Sequence, residues 1–454
     1  MRPPSTLEAF APLGLMLAFL GAQIALTGDF RPHMALVLAV AAGTISGLSR
    51  GYSWSVISGG MFQAWASGLP VLSIFVFLGV LVASWTLSGT VPFLVKLGLG
   101  AIVPDLFLPV AFAVSALTGI LLGSGISTVG TVGIALAGVG KGLGIPLWLT
   151  AGAVVSGAFM GNRTSPISDT SILAPQMSEV DRRAHIRVMA RSALVPFAFS
   201  LVLYYIVGLF VPLALTDPEE SYGVIRSLES CFNLSPVALL PVAVVLALVL
   251  SGIEPLPGFF LSSLSAVVVA YLYQGWDLNI ILSVLMDGGN FSTGSIVADG
   301  IVNRGGLGSV SMLFMMVSMA LCMGGVLETV GSMERILKSI VSLKGVLPLG
   351  CLALLTTMLV SSGSGSGSVG IVVSGRMFNG VYRDLQVDRL WLSRYLVEGS
   401  ILIVPLVPWA ACGAFVASAM GLSSSDGSMF MYIPFSFFCL ISPLWALLSP
   451  KIDV

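Results

Sequence analysis

Apolar residues run on along this chain, again and again, for lengths that suit a membrane crossing. A hydrocarbon layer about 30 Å thick asks for about 20 apolar residues in a helix. Such runs are found at Phe10–Gly28, Met34–Ser49, Leu69–Ser88, Leu106–Leu122, Leu147–Met160 and Ala190–Leu215. They recur at Ser235–Gly252, Leu256–Tyr273, Val310–Glu328, Val346–Ser361, Ile401–Met420 and Met429–Leu448. Tyr52–Gly68 and Leu278–Arg304 are mixed in polarity and are expected at an interface or as re-entrant segments. Only 9% of residues are charged and 56% are hydrophobic. Soluble domains carry about 25% charged residues, so this chain cannot cover a water-facing surface. The expected class is an all-α polytopic membrane protein of about 10–12 transmembrane helices. The net charge of −1 excludes nucleic acid as a partner. The segment Met1–Glu8 is short and polar, and no small-residue cleavage site follows the first apolar run, so that run is expected to be a span.

Against this background one polar stretch stands out, Gly161-Asn162-Arg163-Thr164-Ser165-Pro166-Ile167-Ser168-Asp169-Thr170-Ser171. A charged side chain at the bilayer centre costs about 2.5–3.5 kcal/mol on insertion scales, so Arg163 and Asp169 need a partner or a task. Irregular backbone at membrane depth is tolerated where protein buries it or where it lines a wet cavity. A solute site is expected here. Asp169 and Glu398 are its leading carboxylates, able to bind a transported cation such as Na⁺ or to carry a proton. Asp169 also suits a helix N-cap, and Glu398 suits pairing with Arg394 near the surface. Arg163 could neutralise Asp169, hold an anionic substrate or snorkel to the interface. Asn162, Ser165, Ser168 and Thr170 add polar oxygens to the same stretch.

The two halves echo each other, at an offset of about 240 residues for a glycine-serine match and somewhat less for an acidic one. Gly123-Ser124-Gly125 before Val132-Gly133-Ile134 resembles Gly363-Ser364-Gly365 before Val369-Gly370-Ile371, and Asp169-Thr170-Ser171-Ile172-Leu173 resembles Glu398-Gly399-Ser400-Ile401-Leu402. Interrupted apolar segments in matching positions point to a two-repeat secondary transporter. The expected division is 1–230 and 231–454. Glycine frees the backbone at both breaks, so Ser124, Ser127, Thr128, Ser364, Ser366 and Ser368 join the candidate set through their hydroxyls and carbonyls. Basic clusters at Arg182, Arg183, Arg187 and Arg191 and at Arg376, Arg383, Arg389 and Arg394 are expected in the cytoplasm. The acidic loop Asp217–Glu229 then lies outside and both termini inside, which makes the repeats inverted. His33 and His185 are expected to be solvated, Asp299 solvated or paired with Arg304, and Trp85 an interface anchor.

Enzyme motifs are missing. There is no His-Glu-x-x-His helix, phosphate loop or Gly-x-Ser-x-Gly elbow, which argues against an intramembrane hydrolase and against ATP-driven pumping. No cofactor is expected.

At these residues the sequence resembles the NhaC-type Na⁺/H⁺ antiporters of the ion transporter superfamily. The similarity rests on Trp85-Thr86-Leu87-Ser88-Gly89-Thr90-Val91-Pro92, Ser127-Thr128-Val129-Gly130-Thr131, Ser165-Pro166-Ile167-Ser168-Asp169-Thr170 and His185-Ile186-Arg187. Arg304-Gly305-Gly306-Leu307, Gly375-Arg376-Met377-Phe378 and Pro405-Leu406-Val407-Pro408-Trp409 continue it in the same order. The resemblance implies proton-coupled antiport exporting Na⁺ across the plasma membrane, with exchange or symport of a small carboxylate or amino acid as the alternative. A homodimer in membrane lipid is left open. The chain departs from the family pattern at Asn162, where an acid is usual, at Gly399, where Glu-Asp is usual, and at Ala410, where Pro-Trp-Asn is usual.

Overall fold

In a computed structural model the described residues, 2–27, 32–101, 104–210, 218–253, 255–341, 347–423 and 427–449, form helices and no β-strand. Asp217 and the ends of the expected spans at Gly28, Leu215 and Val346 lie outside the described residues. The first elements are α1 (Thr6–Thr27), α2 (Pro32–Ser49), α3 (Trp54–Ser67), α4 (Leu69–Leu87) and α5 (Thr90–Ala101). Next come α6 (Phe107–Leu122), α7 (Gly125–Thr128), a π-helical turn at Val129–Gly133, α8 (Ile134–Gly142), α9 (Leu147–Thr164), α10 (Thr170–Ser178) and α11 (Arg182–Phe210). After these lie α12 (Pro218–Cys231), α13 (Leu240–Leu250), α14 (Pro255–Leu272), α15 (Leu278–Asp287), α16 (Ile296–Val302), α17 (Leu307–Thr329) and α18 (Ser332–Val341). The chain closes with α19 (Leu349–Ser364), α20 (Gly367–Asp384), α21 (Arg389–Ser400), α22 (Ala411–Met420), α23 (Ser428–Met431) and α24 (Phe437–Leu448).

Among the described residues six helical segments are long and apolar enough to cross a membrane, or eight if each of two bent pairs counts as one crossing. Five shorter apolar helices accompany them, so the larger number expected from sequence depends on these short elements. Tyr52–Gly68 is not a separate interfacial piece, because α3 runs on into α4 as one apolar segment, Trp54–Leu87. Ile401–Met420 is not one helix: the segment Arg389–Leu406, which begins as α21, and α22 form a pair bent by 46° at residues 407–410. Helices α20 and α21 escape an apolar-run search because each carries several charges.

Two hairpins organise the middle of the protein. In the first, α6 ends at Gly123 in the left-handed region (φ 65°), and Ser124 caps α7 by accepting from the Ser127 N–H at 3.2 Å. The chain then turns back, so that Gly140 returns beside Phe107 and Thr150. Helix α9 runs parallel to α6 at very close range. A Cβ on Gly157 would stand 2.2 Å from the Phe112 carbonyl oxygen, and one on Gly161 2.5 Å from that of Ala116. Small residues allow this approach of backbones, which is how apolar helices gain packing energy in lipid. The second hairpin repeats the design. Helix α19 ends at Gly365 (φ 67°), α20 folds back with Gly370 against Ser361, and α21 runs beside α19 with Gly399 against the Leu354 carbonyl.

The two hairpins exchange partners. Asp169 lies near Ser368, and Met177 packs on Gly375, so α10 runs alongside α20. In the same way α22 runs alongside α7 and α8, with Phe415 over Gly130 and Met420 beside Gly133.

Candidate functional site

Four breaks in helices converge here. The Gly123 turn abuts the α9–α10 break: a Cβ at Gly123 would meet the Ile167 side chain at 2.7 Å and the Ser168 nitrogen at 3.2 Å. The Gly365 turn likewise lies against Ala410 in the α21–α22 break. Hydroxyls take up the backbone groups the breaks release. Ser165 donates to the Ile120 carbonyl at 2.7 Å, in the last turn of α6, where carbonyls lack helical partners. Ser168 donates to the Ser165 carbonyl at 3.1 Å and shares a hydrogen bond of 3.0 Å with the Thr170 hydroxyl. Thr128 donates to the Ser124 carbonyl at 2.9 Å, and Ser364 to that of Val360 at 2.7 Å. The Ser366 N–H donates to the Ser364 hydroxyl at 3.4 Å. The Ser127 hydroxyl and the Asn162 Oδ1 are buried without a hydrogen-bond partner among the described residues.

Asp169 caps α10, its Oδ1 accepting from the Thr170 N–H at 2.9 Å. It is exposed, together with Pro166 and Ile167, and it faces Ser368 and Cys412 of the other half. No Lys or Arg pairs with it within 4 Å among the described residues. Ser362–Gly367 on the second hairpin are partly exposed as well, so the carboxylate lies on an accessible seam.

Glu398 lives in different surroundings. It is fully buried near the end of α21, and its Oε1 accepts from Arg163 Nη2 at 2.5 Å and Nε at 3.1 Å. Arg394 Nε lies 3.7 Å from the same oxygen, with both side chains sealed from solvent. This corrects three expectations. Arg163 neither snorkels nor pairs with Asp169; it is 1% exposed and bound to Glu398. The Arg394–Glu398 pair is in the core, not near the surface. One cavity lined by both acids is not formed, because Asp169 is open and Glu398 is closed. Among the described residues no group of three or more His, Cys, Asp or Glu could hold a metal ion.

Arg163 is held further by the Met189 carbonyl (2.9 Å) and the Ser192 hydroxyl (2.7 Å) of α11. A charge taken out of water is stable only with such surrounding hydrogen bonds, which explains a serine in an otherwise apolar stretch. His185 belongs to this interior too: it is buried, and its Nδ1 lies 2.6 Å from the Ser393 hydroxyl, so it is not solvated. His33 contacts the Met312 carbonyl at 2.9 Å. Trp85 is buried with its indole N–H on Ser262 at 2.9 Å, and is no interface anchor. Sequence reasoning also missed Tyr204, whose hydroxyl binds the Phe435 carbonyl, the Gly152 carbonyl and Ser156, tying α11 to α9 and the approach to α24. A tyrosine pair, Tyr204-Tyr205, in an apolar stretch is the signal that pointed to it.

A chain of this sequence is similar to known proteins over almost its full length. A family model described as the Na⁺/H⁺ antiporter family matches residues 157–449. The Na⁺/H⁺ antiporter NhaC of Alkalihalophilus pseudofirmus is 32% identical, over 97% of this chain and 96% of that one. The protein of the same name from Bacillus subtilis is 31% identical over 92% and 91%. The arginine/ornithine antiporter ArcD of Halobacterium salinarum is 32% identical over 98% and 91%.

Proposed function

Because this chain belongs to the Na⁺/H⁺ antiporter family, NhaC type, we propose that it exports Na⁺ from the cytoplasm in exchange for protons, with Asp169 as the exchanging carboxylate. One observation carries this reading: Asp169 is accessible at the meeting of the two hairpins and has no basic partner among the described residues. A carboxylate so placed, with the Ser368 hydroxyl of the other half beside it, offers hard oxygen ligands of the kind Na⁺ favours and can take a proton in its stead. Ser168, Thr170 and Ser368 stand nearest, with Ser124, Ser127, Thr128, Ser165, Ser364 and Ser366 shaping the breaks around it. Glu398 keeps the charge of Arg163 compensated and joins the halves.

The chain divides into inverted repeats over 1–230 and 231–454. Supporting this is the near identity of the two breaks: Gly123 and Ser124 adopt φ/ψ of 65/13° and −142/119°, against 67/11° and −133/123° at Gly365 and Ser366. Registering the repeats on their helices changes the sequence pairing. Asn162 and Glu398 each stand two residues before the end of their helix, at Thr164 and Ser400. Asp169 and Ala410 each immediately precede the half-helix that follows. Asp169 and Glu398 are therefore not counterparts. Two positions where the chain departs from the family pattern, Asn162 and Ala410, are instead the counterparts of the acids it retains. With the Arg182–Arg191 and Arg376–Arg389 ends in the cytoplasm, the protein sits in the plasma membrane with both termini inside.

Everted vesicles carrying a pH dye test the proposal. Na⁺ should dissipate a preformed proton gradient, and Asp169→Asn should abolish the response at unchanged protein level. Full activity in that variant refutes the assignment. Silence towards Na⁺ and Li⁺ with a response to malate, lactate or arginine replaces Na⁺ with an organic solute.

A further inference from the structure

Away from the hairpin tips, a cavity of about 240 Å³ opens between α4, the start of α17 and the end of α22. Its polar lining is Asn303, Arg304, Ser309 and Ser418, while Leu78 and Leu313 are among its apolar walls. Arg304 is partly buried there and makes one hydrogen bond among the described residues, from Nη2 to the Ala419 carbonyl at 3.4 Å. Among the described residues no carboxylate pairs with it. Asp299, expected to be solvated or paired with Arg304, is turned into its own loop and accepts from the Thr293 N–H at 2.6 Å and hydroxyl at 2.8 Å. A second cation adds to the field: Lys141 is held on the Gly300 carbonyl at 2.6 Å, close enough for the Arg304 charge to act on it.

The position of Arg304 is built in. A Cβ on Gly421 would fall 2.0 Å from Arg304 Nη2 and 2.3 Å from Cζ, so only glycine lets the guanidinium lie flat across that turn. Gly421 also holds φ +69°, a conformation other residues adopt at a cost. The result is a planar fork of donors, most of them unused among the described residues, lining a partly apolar space beside the N-terminus of a 23-residue helix. Such a fork matches a carboxylate in bidentate fashion, and a helix N-terminus favours negative charge. Drug-sized pockets occupy about 300–1,000 Å³, so this smaller volume suits an anion of few heavy atoms. We propose that this cavity binds a small monocarboxylate, its carboxyl group on Arg304 and its short hydrocarbon end against Leu78 and Leu313. The site is separate from the Asp169 seam and does not depend on what crosses there.

The test is thermal unfolding of the purified full chain in detergent, at fixed Na⁺, with sodium butyrate titrated against sodium chloride. Butyrate should raise Tm saturably and chloride should not. Arg304→Gln should weaken the apparent affinity at least tenfold, and Arg304→Lys should weaken it less. Ser418→Leu, which narrows the cavity and keeps the arginine, should abolish the butyrate response and keep the vesicle Na⁺ response. Equal shifts with chloride, or a butyrate shift that survives both Arg304→Gln and Ser418→Leu, overturn the proposal. So does an Arg304-dependent shift produced by phosphatidylglycerol and not by butyrate, which would make a lipid headgroup the occupant. Because nothing is transported in this assay, its failure leaves the Asp169 proposal standing.

Discussion

The Arg163–Glu398 pair sets a sharp energetic expectation. Arg163→Met removes two hydrogen bonds to Glu398 Oε1 and those to Met189 and Ser192, leaving a fully buried carboxylate with Arg394 3.7 Å away. Breaking a buried pair from one side costs about 3–5 kcal/mol, because the surviving charge stays out of water. At about 1.4 kcal/mol per decade, that is between two and four decades in the folding equilibrium. Glu398→Gln should cost a similar amount, since Arg163, though still held by Met189, Ser192 and the Phe438 ring, loses its counter-charge. The double variant should lose about 2–3 kcal/mol less than the two singles summed, within the range that groups in contact show. Reversible unfolding in mixed micelles, followed by tryptophan fluorescence, measures all three. Singles within about 0.5 kcal/mol of the parent, with an additive double, would refute the assignment of this pair as the clasp between the halves.

Two further expectations follow from local geometry. Gly123 and Gly365 share a left-handed backbone, so alanine at either costs about 1–2 kcal/mol of backbone strain. Gly123→Ala adds a contact of 2.7 Å with Ile167, worth about 1–3 kcal/mol more, whereas the nearest atom at Gly365 is 3.6 Å away; equal losses in the same assay would contradict the packing. At the basic end of the bundle, Arg389 donates to Glu179 at 2.6 Å, and this bond, with Asn379, holds the Glu179 carboxyl below its ordinary range. A depressed folded value means the stabilisation is present above the unfolded pKa and fades as pH falls through the folded one. Stability of the parent should therefore drop more steeply than that of Glu179→Gln on acidification below the usual glutamate range; parallel curves would exclude the contact.

How much of this was written in the sequence varies with the kind of interaction. The apolar runs located helices because burial in lipid is a property of consecutive residues, and the Gly-Ser strings located the breaks because glycine reports on backbone freedom. The fate of each charge could not be found this way. Arg163 and Glu398 are 235 positions apart, and which of two acids an arginine meets is decided by the crossing of α9 with α21. The same limit misplaced the echo between the halves. Matching Asp169 to Glu398 by adjacent Ser-Ile-Leu letters ignored that one follows its helix break and the other precedes it. Helix α21 was hidden for a related reason, since Arg389 and Glu398 pair with Glu179 and Arg163, far away along the chain, and α20 because its charges are exposed.

The crossed arrangement of the short half-helices has a mechanical consequence. Helix α10 is laid against the returning arm of the opposite hairpin, and α22 against the returning arm of the first. Neither half can swing as a free door, for each holds a finger of the other. A motion that frees one finger must therefore exchange the contacts of both arms together.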